Sequence, residues 1–214
     1  MPRLTPDVAL ALRRLLAHDS PYRGRVTKRR GSSTPTRAEL LAARGGTVPD
    51  LIGPGVHVLL CGINPSLASA AIGHHFGNPA NRLWPVLHQA GFTPRRLHPT
   101  ESHELLDYGI GVTNLVPRAT ATAAELDRAE LLAGPDRLAK LVRRWHPDWV
   151  AFLGLSAYRA AYSLPKATIG PQPADVAGAR VWLLPNPSGL NAHYQLPDLV
   201  SAYAELREAA FPPP

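Results

Sequence analysis

Apolar positions along this chain follow two rhythms. Four short, nearly unbroken apolar runs stand at 56–61 (VHVLLC), 109–116 (GIGVTNLV), 148–153 (DWVAFL) and 180–184 (RVWLL). Each has the length and composition of a buried strand bounded by turn residues. Between them, apolar residues recur at helical spacing. Val8, Leu10, Leu12, Leu15 and Leu16 predict a helix over 7–18, and Leu83, Trp84, Leu87 and Ala90 one over 79–90. Shorter helical stretches are expected at 37–44, 100–106, 138–145 and 156–163. Leu199, Val200, Tyr203 and Leu206 place a last helix at 196–210, and the PPP ending cannot continue it. Residues 176–178 read as a connection. Strands that alternate with helices argue for a parallel sheet between two helical layers.

Two of the strands run into polar turn clusters. GINPS at 62–66 follows the first, and PNPSGLN at 185–191 follows the last. Gly, Asn, Pro and Ser are turn and cap residues. In a parallel sheet both clusters fall at the carboxyl edge, where open α/β sheets bind ligands. Between Leu67 and Gly77 the chain is small, polar and irregular in pattern, and carries His74, His75 and Phe76 together; Asn78 and Pro79 read as the cap and first residue of the next helix. Neither cluster contains a Gly-rich nucleotide fingerprint, which argues against a nucleotide cofactor.

Charge divides the chain. Residues 1–55 hold ten Lys and Arg against four Asp and Glu, a net +6, out of +7 for all 214 residues. The expectation is a basic arm over 1–48, helical in part and otherwise loop, ahead of a near-neutral domain over 49–214. Such an arm suggests a polyanionic partner, although a solvated tail has the same composition. The single cysteine, Cys61, excludes an intramolecular disulfide and a cysteine-ligated cluster, and fits a reducing cytoplasm. No apolar run reaches the ~20 residues that span a bilayer, and the N-terminus lacks the pattern of a secretory signal. Adjacent histidines point apart on an extended chain and no third ligand stands near them, so no metal site is expected.

Four motifs in order, GINPS (62–66), GHHFGNPANRLW (73–84), GVTNLV (111–116) and LPNPSGLN (184–191), resemble those of the mismatch-specific uracil and thymine DNA glycosylases, within the uracil-DNA glycosylase superfamily. The resemblance spans about 49–210. It implies a three-layer α/β/α fold on a four-stranded parallel sheet. It also implies hydrolysis of the bond between a mispaired or damaged pyrimidine and its deoxyribose, without a cofactor, by a monomer acting on double-stranded DNA. That places the protein with the nucleoid DNA if it is bacterial, and away from membranes. By the same resemblance Asn64 orients the attacking water and Phe76 stacks on the flipped base. Ile63 and Phe76 read the pyrimidine edge through their backbones, and Ser69 approaches its C5 side. Asn114 and Asn186 complete the pocket, and Gly189, Leu190 and Asn191 form the wedge that fills the vacated stack.

Two positions depart from the family. Asn114 stands where some bacterial members have lysine, and Ala192 where an arginine often follows the wedge leucine. Asp107 is the nearest carboxylate in sequence to these loops, and is a candidate base or electrostatic partner. No lysine lies in the four motifs, which argues against Schiff-base chemistry. Taken singly, without the resemblance, Asn64-Pro65 reads rather as a turn, and Phe76 and Leu190 as core residues. A non-catalytic damage-binding protein, or a small-molecule hydrolase on the same sheet, would share much of the pattern.

Overall fold

The structure, a computed structural model, describes residues 34–212. The helix expected over 7–18 and most of the basic loop lie outside the described residues. From residue 35 onward the chain is one compact unit.

Its centre is a five-stranded sheet in the order β2-β1-β3-β5-β4. Four strands are parallel and coincide with the four apolar runs: β1 (Val58–Gly62), β2 (Ile110–Asn114), β3 (Trp149–Leu153) and β5 (Ala179–Leu184). The fifth, β4 (Gly170–Val176), pairs antiparallel with β5 at the edge. Its end falls in the expected connection at 176–178; GPQPADV has two prolines and no alternation. Proline is tolerated on an edge strand, whose outer N–H groups have no ladder to join.

Successive strand residues point to opposite faces, and the core divides accordingly. Leu60, Val112, Ala151 and Trp182 pack under α3 (Leu83–Gln89) and α6 (Leu196–Ala210). Leu59, Val150, Phe152 and Val181 pack under α4 (Arg128–Trp145) and α5 (Leu155–Tyr162). The result is the expected three-layer α/β/α arrangement with one strand more. A sheet covered on both faces has continuous apolar strands, as these are.

Helix boundaries differ where a proline or a cap misleads. α4 starts ten residues before Leu138, opened by an Asp127–Glu130 capping box, and it tolerates Pro135 within it. α3 begins at Leu83 rather than Pro79, because Asn78 and Asn81 turn the chain first, each accepting through its side chain from the N–H two residues on. The stretch after Pro65 is not irregular throughout. Ser66 caps a short helix, α2 (Leu67–Ile72), which ends at Gly73 in the left-handed conformation. α1 (Arg37–Ala42), capped by Thr36, precedes the sheet. Residues 99–108 form a 3₁₀ helix leading into β2.

Candidate active site

β1 and β2 end side by side, with Gly62 opposite Asn114. Gly62 is required by what lies over it. A Cβ there would stand 2.5 Å from Asn114 Oδ1 and 3.4 Å from Phe76 Cζ. A bare Cα, a carboxamide oxygen and the edge of an aromatic ring therefore meet at the carboxyl end of the sheet.

Asn114 is buried and its orientation is determined by its neighbours. His75 Nε2 lies 2.9 Å from Pro49 O, an acceptor only, so that nitrogen carries the proton. Nδ1 of the neutral ring is then an acceptor, and Asn114 Nδ2 donates to it at 3.3 Å. Asn114 Oδ1 consequently faces Gly62 and Phe76. Burial lowers the His75 pKa, while the bond to Pro49 opposes that shift, which agrees with a neutral ring. From behind, Arg137 of α4 donates to Asn114 O at 2.7 Å and pairs with Asp50. Asp50 in turn accepts from Thr113 Oγ1 at 2.6 Å.

Asn64, in the loop after β1, is held as firmly. Its Nδ2 donates to Arg118 O at 2.9 Å and to Thr120 Oγ1 at 2.6 Å. Thr120 spends its own hydroxyl proton on Thr122 O, so it is an acceptor towards Asn64. Both neighbours being acceptors, the amide nitrogen must face them and Oδ1 must face away, ready to accept. The Arg118 loop is anchored by a two-pronged pairing of its guanidinium with Glu130, both distances 2.6 Å. That pairing pulls the Glu130 carboxyl down to about 2.

Phe76 has a backbone φ of 51°, a conformation that costs a non-glycine residue energy and clusters at functional sites. Two bonds hold it. Trp84 Nε1 donates to Phe76 O at 3.2 Å, and Gly77 N donates to Ser69 Oγ at 3.0 Å. Ser69 is thus a buried brace of the Phe76 turn. Ile63 is half-buried and its carbonyl accepts from Val116 N.

The loop after β5 reaches the same edge. β1 and β5 flank β3, so they lie about 10 Å apart. Asn186 Oδ1 accepts from Ser188 N at 2.9 Å, which leaves Nδ2 as its free polar group. Leu190 is 88 % exposed, against the usual fate of leucine, and forms the loop's tip between Gly189 and the half-buried Asn191. Gly189 has no room for a Cβ, which would lie 2.6 Å from Ala80 O. Arg82 Nη1 and Nη2 donate to Tyr194 O, Ser188 O and Asn191 O at 2.7–3.0 Å.

One candidate does not join the others. Asp107 is exposed and lies just before β2, at the amino edge of the sheet. Strand length alone puts ~16 Å between the two edges. Sequence proximity misled here because Asp107 precedes the strand whose far end carries Asn114. His74 is half-buried, and both ring nitrogens of His75 are engaged. Among the described residues no three His, Cys, Asp or Glu side chains are placed to hold a metal ion. Arg82, Arg137, Asp50 and Thr120 also belong to the site, and their places in it follow from contacts distant in sequence. Arg82 sits inside a singled-out motif, which was its only signal.

Comparison with known proteins gives two findings. Residues 49–207 match the family model described as the uracil DNA glycosylase superfamily. The fold resembles the solution NMR structure of a candidate uracil DNA glycosylase from Methanosarcina acetivorans, with a TM-score of 0.51 and 17% identity, covering 76% of this chain and 98% of that one.

Proposed function

Because the chain belongs to the uracil DNA glycosylase superfamily, we propose that it is a monofunctional glycosylase that removes uracil, thymine or a modified pyrimidine, mainly when mispaired with guanine. The target nucleotide is flipped out of double-stranded DNA at a cost of a few kcal/mol. Its base stacks on Phe76. Asn114 Oδ1, facing the pocket, accepts from the N3–H that uracil and thymine carry and cytosine lacks. The N–H groups of Ile63 and Phe76 and the Asn186 amide nitrogen are the donors available to the base carbonyls. Ser69 acts through the Phe76 turn, and Leu190 occupies the vacated stack.

The observation that carries this reading is the pinned amide of Asn64. Its oxygen is oriented to accept from, and so align, a water below the sugar. An amide is no base, and Asp107 is at the other edge, so the water stays weakly activated. No lysine lies among the site candidates, and Lys140 and Lys166 are exposed on α4 and after α5, which favours hydrolysis over Schiff-base chemistry. The same weak activation favours the second reading, a damage-binding protein without catalysis.

One experiment decides between them. Single-turnover cleavage and duplex binding are measured for wild type and Asn64→Ala on a G·U duplex. The glycosylase reading expects the variant to bind within a few-fold of wild type and to lose cleavage by about 100-fold or more. Cleavage near the wild-type rate in Asn64→Ala refutes the assignment of Asn64, and no cleavage by wild type leaves the binding reading.

Selectivity follows from the weak activation. Substrates that flip and leave easily should be preferred. Uracil opposite guanine is expected to be cleaved faster than uracil opposite adenine, and 5-fluorouracil faster than thymine in the same G-paired context. Equal single-turnover rates for uracil opposite guanine and adenine refute mismatch selectivity.

A further inference from the structure

Arg82 is an unusual cation. It is half-buried, and among the described residues no carboxylate pairs with it. Its Nε–H is buried without a partner. A guanidinium removed from water without a counter-ion is costly, so what it holds should matter. Its Nη groups hold three main-chain carbonyls: Ser188 O at 2.7 Å, Asn191 O at 3.0 Å and Tyr194 O at 2.7 Å. Its own N–H donates to Pro187 O at 2.9 Å. These carbonyls bracket Leu190, two residues before it and one and four residues after. Arg82 itself is immobilised, because its carbonyl accepts from Val86 N in the first turn of α3.

We propose that Arg82 is the positioning residue of the wedge. One planar fork gathers the loop on both sides of Leu190 and presents an exposed apolar side chain at a fixed height above the base pocket. An arginine suits this because its five N–H donors lie in a rigid plane, whereas a lysine has one point of attachment. Pre-ordering the loop also removes an entropic cost from the step that opens the stack. The assignment rests on the glycosylase reading for its consequence, but not for its geometry.

The test compares wild type with Arg82→Lys and Leu190→Ala on one uracil, presented in a G·U duplex and in a single strand. In Arg82→Lys, cleavage is expected to fall about 100-fold on the duplex and no more than about threefold on the single strand, since a misplaced plug matters only where a stack must be opened. Arg82→Lys combined with Leu190→Ala should be no slower on the duplex than Leu190→Ala alone, because both changes remove one function. Equal losses on both substrates, or additive losses in the double variant, overturn the proposal. Amide hydrogen exchange reads the clamp without any substrate. Exchange at residues 188–194 should accelerate about tenfold in Arg82→Lys while β1 and α6 keep their rates; unchanged exchange there overturns the clamp. Wild type that cleaves neither substrate refutes the glycosylase reading, and the exchange result then stands alone.

Discussion

At the scale of single residues, the site is a set of amides whose two ends are told apart by their neighbours. Asn64 and Asn114 are each turned by acceptors that take the NH₂ group. Thr120→Val deletes one acceptor of Asn64 and keeps Arg118 O and the longer contact to Pro65 O, so the amide gains freedom without losing its place. Turnover is expected to fall about tenfold with half-saturation little changed, a pattern that single-turnover titration separates. The His75–Asn114 bond carries a pH signature. Burial first, then the nearby His74 and Arg137, hold the His75 pKa below its ordinary 6.5, against the opposing Pro49 bond and Asp50 charge. The unfolded chain therefore takes up a proton as pH falls through 6.5, while the folded state does not. Stability should be level above about pH 7.5 and decline from about 6.5 towards the folded pKa. Half-buried His74, also lowered by burial, contributes with the same sign. Denaturant unfolding across pH 5.5–8 should show this slope, made shallower in His75→Gln; an unchanged slope in the variant would assign it elsewhere.

At the scale of elements, close approach matters more than propensity. α4 lies against the chain leaving β2, and Gly134 is there because a Cβ would overlap the Leu115 side chain. Gly134→Ala should destabilise by about 1–3 kcal/mol despite alanine's better helix propensity, since the overlap pushes the buried face of the helix off the sheet. Gly62→Ala makes the opposite test, because its Cβ meets Asn114 Oδ1 and the Phe76 ring, two of the proposed base contacts. It should lower cleavage by about 100-fold with a smaller loss of stability than Gly134→Ala. Thermal unfolding and cleavage measured on both variants check the pair: activity and stability should separate in one and not in the other.

At the scale of the molecule, charge and shape occupy different parts of the chain. The net +6 of the first 55 residues already resides in residues 1–34, with eight Lys and Arg against two Asp and Glu. From α1 onward the chain is part of the domain: α1 packs beside α2, and Gly45 N donates to Ala119 O next to Thr120. Most of the net charge of the proposed arm over 1–48 thus resides in residues that precede α1 in sequence. Deleting residues 1–34 should weaken DNA binding and flatten its log–log salt dependence by about 0.9 for each phosphate that the arm neutralises. Full-length and truncated protein titrated with duplex over a salt series measure this, and identical slopes would mean that the arm does not touch DNA.

What the amino-acid sequence determined by itself was local or periodic. The four apolar runs became the four parallel strands, the helical spacing at 196–210 became α6 at its full length, and the turn clusters after β1 and β5 became the loops that carry Asn64, Asn186 and Leu190. Such features depend on residues a few positions apart and on whether a face is buried, and both are written in the order of residues. Tertiary structure alone decided which polar groups meet. Asn64 is oriented by residues 54 and 56 positions away, Asn114 by one 39 positions away, and the loop after β5 by Arg82 across more than a hundred. It also sent Asp107 to the far edge of the sheet, and made a strand of the proline-bearing 170–176 by giving it β5 to pair with. Hydrogen bonds act over about 3 Å, so their partners are set by how strands and helices pack, and one strand's length separates Asn114 from the exposed Asp107.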